Sequence, residues 1–230
     1  MNLVIDSGNT RFKAGIFSGE KLMQKEFFSQ VEDLKKFVIG NSFDHILVSS
    51  VNYDAKEILN WSTSSQKKII LTADLQLPIN VAYETPQTLG VDRIAAACGA
   101  QFLFPQQDCL VIDAGTCINY EFLDRDKNYR GGGISPGIAM RFEAMHTFTS
   151  KLPLVKSIAE ATLIGKSTET CMQSGVLNGV VAEVNGIIDQ YKFLYPDIRV
   201  ILCGGDYKKK KKRLKHRIFV APDLVFYGLN

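Results

Sequence analysis

Two aspartates close apolar runs, where an ionised side chain is costly to hold away from water. Asp6 ends the run in LVIDSGNT, residues 3–10, and Asp113 ends the run in LVIDAGTC, residues 110–117. In each copy Leu-Val-Ile-Asp is followed by one small residue, a glycine and a side chain carrying a hydroxyl or an amide. Asp and Gly are ordinary hairpin residues, so either copy alone reads as a turn. Two near-identical copies point instead to two related halves facing each other. Each half would present an acidic turn to a shared cleft.

The elements that must carry those turns follow from apolar spacing. RFKAGIF after the first turn and INYEFLD after the second alternate like half-buried strands, so each copy is expected to be a hairpin. KLMQKEFF adds a strand, and VEDLKKFVIG has helical spacing that ends in Gly40. DHILVSSV, residues 44–51, is a short apolar run suited to a buried parallel strand, followed by a helix in DAKEILNWS and a strand in KKIILT. A meander followed by alternating helices and strands predicts a mixed sheet with helices packed on it.

Further along, Pro86 is expected to end any regular element, and Gly90 marks a turn. VDRIAAACGAQFLF then reads as a helix with Asp92 in its first turn, where an acid most often serves as a cap or offsets the dipole. Pro105 closes that helix, which places the expected domain boundary between 1–105 and 106–230. In the second half, GGGISPG precedes a helix. Its glycines suit either an anion-binding helix entrance or a hairpin turn. From Ser167, apolar residues at Val176, Leu177, Val180, Val181, Val184, Ile187 and Ile188 predict a long, largely buried helix, and RVILCGGD predicts a strand ending in Gly-Gly-Asp.

The bulk composition, 46% apolar and 22% charged over 230 residues, is that of a globular chain with a substantial core. No apolar run approaches the roughly 18 residues of a membrane helix. The first strand begins at Leu3, leaving no room for a signal peptide, so a cytoplasmic location is expected. Cys98, Cys109, Cys117, Cys171 and Cys203 form no CxxC pair and suit reduced, mostly packed thiols. His45, His146 and His216 lack metal-ligand spacing.

The formal charge of +3 conceals a local run. KKKKKRLKHR, residues 208–217, holds eight of the 27 Lys and Arg, leaving 19 against 24 acids elsewhere. It reads as a solvated loop of like charges or as a patch for nucleic acid, although no aromatics interleave Lys208 to Lys212 for base stacking. IGKST, residues 164–168, resembles the end of a phosphate-binding P-loop. The glycine that pattern needs five positions earlier is Glu160, so a P-loop is not expected.

Taken in order, DSGNTR, TLGVDR, DAGTC, GGGISPG, STETCMQSG and CGGD resemble type III pantothenate kinase, of the acetate and sugar kinase, Hsp70 and actin superfamily. The resemblance implies an α/β fold of two duplicated ribonuclease H-like domains with an interdomain nucleotide cleft. It also implies ATP-dependent phosphorylation of pantothenate, the first step towards coenzyme A. Large inserted subdomains like those of Hsp70 or actin have no room here.

By that resemblance, nucleotide contacts fall on Asp6, Ser7, Gly8, Asn9, Thr10, Arg11, Phe12 and Lys13, and on Thr116, Gly204 and Gly205. Asp6 would serve Mg²⁺ directly or through water, and Asp113 a monovalent cation, K⁺ or NH₄⁺. Asp92 matches the catalytic aspartate; Tyr83, Gly90, Val91, Asp92, Arg93 and Thr168 match substrate-binding positions. The family's pocket forms across a homodimer, so a homodimer is expected.

The chemistry is coherent. Phosphoryl transfer depends on positioning and charge neutralisation. Gly8 and Gly115 let backbone amides approach phosphate, while Asn9, Thr10 and Thr116 offer uncharged hydrogen bonds. Asp6 and Asp113 would repel phosphate unless cations intervene. Asp92 can orient an alcohol and accept its proton as the P–O bond forms, and a guanidinium at Arg93 suits a carboxylate substrate. Two alternatives stay open at this point. One is a kinase of the same fold with another small acceptor, and the other is a non-catalytic regulator using the basic run.

Overall fold

The computed structural model describes residues 1–63, 65–205 and 213–230. The expectations for Lys208–Lys212, and for the Asp206 ending RVILCGGD, fall outside the described residues.

The first sheet opens as an antiparallel meander of β1 (Asn2–Ser7), β2 (Phe12–Ser18) and β3 (Lys21–Phe28). After helix α1 (Val31–Ile39), β4 (His45–Ser50) joins β1 in parallel, and after α2 (Ala55–Asn60), β5 (Lys67–Ile70) joins β4 in parallel. The strand order is β3-β2-β1-β4-β5. Side-chain alternation sends Leu3, Ile5, Ile46 and Val48 to one face, where they pack with Leu34 and Val38 of α1 and Ile58 and Leu59 of α2. α2 begins where Asp54 accepts a hydrogen bond from the Lys56 amide, an ordinary N-cap.

The second sheet contains β6 (Asn80–Val81), β7 (Cys109–Ala114), β8 (Cys117–Leu123), β9 (Asn128–Pro136), β10 (Arg199–Cys203) and β11 (Phe219–Val220) in the order β11-β10-β7-β8-β9-β6. Counted from β7 as its own first strand, β9-β8-β7-β10-β11 repeats the 3-2-1-4-5 order of the first sheet. β10 is parallel to β7 and β11 to β10, as β4 is to β1 and β5 to β4. The repeat that the two Asp-x-Gly turns suggested is therefore carried by the topology. β6 adds to the β9 edge in parallel.

The helices between are α3 (Val91–Leu103), α4 (Ile138–Thr147), α5 (Thr168–Leu194) and α6 (Leu224–Leu229). α5 starts in a capping box in which Ser167 and Thr170 satisfy each other's backbone amides, and it buries Val176, Leu177, Val180, Val184 and Ile188. Two expectations are corrected. Pro86 opens a single 3-10 turn, Pro86–Thr88, because its fixed φ suits the first position of a helical turn. Gly131, Gly132 and Gly133 form neither a helix entrance nor a hairpin turn; they lie within β9, and α4 begins only after Gly137.

The chain divides into two compact units. Unit 1 comprises Met1–Gln107, Glu121–Gly131 and Asp223–Asn230, and unit 2 comprises Asp108–Tyr120 and Gly132–Pro222. Within unit 1, α6 crosses α3 at a pair of glycines. A Cβ on Gly228 would lie 1.8 Å from the Ala95 carbonyl oxygen, and one on Gly99 would lie 2.2 Å from that of Leu224. Contacts that close leave no space for a side chain at either position. α6 is tied further by Lys25 Nζ to Asp223 Oδ1 at 2.8 Å and by Asn230 Nδ2 to the Gly19 carbonyl at 3.0 Å.

Candidate functional site

In unit 1 the first acidic turn is built by β1 and β2. Asp6 pairs with Lys13 across the antiparallel ladder, and Lys13 Nζ lies 2.8 Å from Asp6 Oδ2. Asp6 is only 4% exposed, so this partner and its hydrogen bonds are what make a charge there tolerable. Ser7 is fully buried, and its Oγ donates to Asn52 Oδ1 at 2.8 Å. Asn52 Nδ2 in turn donates to the Gly8 carbonyl at 2.9 Å, while the Val51 amide donates to that of Ser7 at 3.1 Å. Asn9, Thr10 and Arg11 are exposed beyond this clamp, and Gly8, Phe12 and Lys13 are half-buried. The Arg11 guanidinium lies over the Phe27 ring, 5.4 Å from its centroid.

The second group in unit 1 gathers at the start of α3. Gly90 is the N-cap, Val91 the first helical residue, and Asp92 Oδ1 accepts from the Arg93 amide at 3.0 Å. Burial pushes the Asp92 carboxyl above its ordinary value, and the charge of Asp6 pushes it the same way against the Arg93 amide. A carboxylate raised like this is a better proton acceptor than a free aspartate. Arg93, 7% exposed, is held by a buried anchor that sequence reasoning missed. Its Nε donates to Glu121 Oε1 at 2.8 Å, and the Tyr129 hydroxyl donates to Glu121 Oε2 at 2.5 Å. The Tyr83 ring lies 5.7 Å from the guanidinium carbon, and the Tyr83 and Tyr129 centroids are 6.1 Å apart.

Burial would lower the Arg93 pKa, but the hydrogen bond and charge of Glu121 raise it above its ordinary value. Burial pushes Glu121 up to about 6, opposed by Arg93 and Tyr129 and assisted by the Asp92 charge. Asp6, Asp92 and Glu121 are thus three electrostatically linked carboxylates with two cationic partners, Lys13 and Arg93. The signal for Glu121 was available: it interrupts an apolar strand, between Tyr120 and Phe122, both buried. Asn52 gave no such signal, since an exposed loop asparagine is unremarkable in a sequence.

Unit 2 carries the second acidic turn. β7 and β10 run parallel with Asp113 opposite Cys203, and Gly204 follows at φ +86°, a region that favours glycine. A Cβ there would lie 2.3 Å from Asp113 Oδ1 and 2.4 Å from the Ala114 carbonyl oxygen. The absent side chain lets Gly204 pack directly against the Asp113 carboxylate and the Ala114 backbone, whose nitrogen would lie 2.6 Å from the same Cβ. Gly205 is exposed beside it. The Gly115 amide donates to the Cys117 carbonyl at 2.9 Å, and the Gly137 amide donates to that of Thr116 at 3.0 Å, which joins the β9–α4 corner to the exposed Thr116 turn.

Behind that corner, Glu183 of α5 accepts from Tyr120 Oη at 2.8 Å, from Ser135 Oγ at 2.6 Å, and from Arg141. Thr168 heads α5 with an exposed side chain, and no strand leads into it: residues 151–166 are irregular, as the rejection of a P-loop requires. Unit 1 therefore gathers Asp6, Lys13, Tyr83, Asp92 and Arg93, while Asp113, Thr116, Thr168, Gly204 and Gly205 belong to unit 2.

Among the described residues, no group of three or more His, Cys, Asp or Glu side chains is placed to hold a metal ion, and no helix is long and apolar enough to cross a membrane. A Campylobacter jejuni protein solved as a Baf family transcriptional activator superposes with a TM-score of 0.66 at 20% identity, over 98% of this chain and 94% of its own. A 2-dehydro-3-deoxygalactonokinase protein from Sinorhizobium meliloti superposes at 0.56 and 14% identity, over 100% and 97%. These likenesses speak for the fold alone, and with the repeated strand order they make it an actin-like ATPase fold of two ribonuclease H-like domains. At the sequence level, the type III pantothenate kinase of Cytophaga hutchinsonii is 44% identical over 230 residues, covering 100% of this chain and 97% of its own. The type III pantothenate kinase family model matches residues 2–190, a span holding both acidic turns, the Asp92–Arg93 pair and the head of α5, and the chain belongs to that family.

Proposed function

We propose that the chain transfers the terminal phosphoryl group of ATP to the hydroxyl of pantothenate, giving 4'-phosphopantothenate at the entry to coenzyme A biosynthesis. The observation carrying this reading is Asp92–Arg93 at the head of α3, a carboxyl raised by burial next to a fixed guanidinium, inside the span matched by the family model. Asp92 would orient the acceptor hydroxyl and take its proton as the new P–O bond forms. Arg93, with Tyr83, Gly90 and Val91, would receive the acceptor and its carboxylate, and Thr168 would contact it from α5.

The first turn, from Asp6 to Lys13, and the second, at Thr116, Gly204 and Gly205, would bind nucleotide. Asp6 fits a role in holding Mg²⁺ through water: Lys13 engages one carboxylate oxygen, and a carboxylate has lone pairs to spare. Magnesium with one or two carboxylates and phosphate oxygens needs no all-protein cage. The ion offsets triphosphate charge when bound. Asp113, a carboxylate at the end of β7 packed beside Gly204, would hold a monovalent cation, K⁺ or NH₄⁺.

A cytoplasmic homodimer completes the reading. It is supported by large apolar side chains left bare on unit 2, with Phe148 85%, Leu163 81% and Ile164 75% exposed. The deciding experiment is product analysis after incubation with pantothenate, ATP, Mg²⁺ and K⁺, with a K⁺-free control. Phosphopantothenate formed only with ATP is expected, and preference for an unrelated acceptor would overturn the assignment.

A further inference from the structure

Arg93 is buried, and a buried arginine that must receive a ligand faces two problems. Its long side chain samples many rotamers, and fixing them costs conformational entropy. Its charge also needs a permanent partner in a site short of water. Both are met by a single side chain in unit 1. Glu121 is 1% exposed, receives Arg93 Nε through Oε1 at 2.8 Å, and is itself fixed through Oε2 by the fully buried Tyr129 at 2.5 Å.

The chain of contact runs from β9 through β8 to the start of α3, from rigid strand to helix terminus. A guanidinium has five donors in a fixed plane, more than Glu121 and Tyr83 can use, so the anchor leaves capacity for a carboxylate.

We propose that Glu121 is a positioning residue for acceptor recognition: it sets the rotamer of Arg93, with Tyr129 as its support, so that the guanidinium meets the acceptor's carboxylate already in place. This rests on the reading that Arg93 receives pantothenate. A merely structural ion pair makes the same contacts, so the test must separate the two.

Steady-state kinetics of Glu121→Ala, Glu121→Gln and Tyr129→Phe are compared with those of the unaltered protein, varying pantothenate and ATP in turn. A pantothenate analogue with an uncharged amide in place of the carboxylate is measured as a competitive inhibitor, so its own turnover is not needed. Expected are a KM for pantothenate raised at least about tenfold in Glu121→Ala, and an ATP KM within about twofold. The inhibition constant of the neutral amide should change less than about threefold. Glu121→Gln keeps an acceptor for Arg93 Nε and should recover most of the loss. Tyr129→Phe should raise the pantothenate KM by about two- to fivefold, and it decides the matter should Glu121→Ala not fold.

An unchanged pantothenate KM, equal losses for pantothenate and the amide, or a Gln variant as impaired as the Ala variant would overturn the proposal. Absence of pantothenate phosphorylation by the unaltered protein would instead overturn the function on which it rests.

Discussion

The side-chain amide of Asn52 bridges the first acidic turn, donating to the Gly8 carbonyl at 2.9 Å and accepting from Ser7 Oγ at 2.8 Å. Two hydrogen bonds from the β4–α2 loop therefore hold the segment proposed to face the triphosphate. Each such bond contributes about 1 kcal/mol net. Asn52→Ala is expected to raise the KM for ATP about five- to thirtyfold while leaving that for pantothenate near its original value. Initial-rate measurements with each substrate varied in turn check this; an unaffected ATP KM would show that the turn keeps its shape unaided.

Asp92→Asn removes the proposed proton acceptor and retains the shape. Loss of general base catalysis is commonly about 10²–10⁴-fold, and kcat is expected to fall in that range. Nucleotide should still shift the melting temperature as it does in the unaltered protein. Near-normal turnover would sink the role given to Asp92.

Gly204→Ala places a methyl where Asp113 Oδ1 and the Ala114 carbonyl converge, at a φ of +86° that alanine adopts at a cost of about 1–2 kcal/mol. Melting temperature should fall by several degrees, and activation by K⁺ should weaken or vanish. A titration of rate against K⁺ concentration at constant ionic strength reads the effect. A K⁺ response like that of the unaltered protein would remove Asp113 from consideration as the cation's ligand.

The pH dependence of stability has a definite sign. Glu121 sits at about 6 in the folded chain against an ordinary 4.5, so between those values the folded state holds more protons than the unfolded one. Its contribution is fully favourable below 4.5 and is lost as pH rises through about 6. Arg93 and Tyr129 oppose that upward shift, and the Asp92 charge adds to it. The difference in melting temperature between the unaltered protein and Glu121→Gln should therefore shrink, or reverse, as pH climbs through this window; a difference independent of pH would contradict it. Titrating groups not coupled to Glu121 cancel in the comparison.

Much of this was readable beforehand because it depends on local rules. The apolar runs LVID and DHILVSSV mark β1 and β4, the alternation in RFKAGIF marks β2, and the apolar stripe from Ser167 marks α5. What escaped is tertiary. Gly131 and Gly133 read as a helix entrance or a turn, yet β9 runs through them, with the Tyr83 ring 3.2 Å from where a Gly131 Cβ would be and the Tyr120 ring 3.5 Å from where a Gly133 Cβ would be. Neighbouring rings fill the space that side chains would take. Asn52 and Glu121 likewise gain meaning only from partners 44 and 28 residues away. The two-residue strand β6 has no pattern of its own and exists because the β9 edge accepts it.

The glycine crossing of α3 and α6 also bears on how the polypeptide matures. α6 fills its side of unit 1 with Leu224, Phe226 and Leu229, all buried, yet residues 108–120 and 132–222 of the other unit are translated before it. During synthesis the α3 side chains that meet α6 stay uncovered until residues 223–230 have been made. Assembly of the lobe bearing Asp6 and Asp92 thus waits on residues 223–230: a nascent chain that stops short of them leaves bare the α3 surface on which Leu224, Phe226 and Leu229 close.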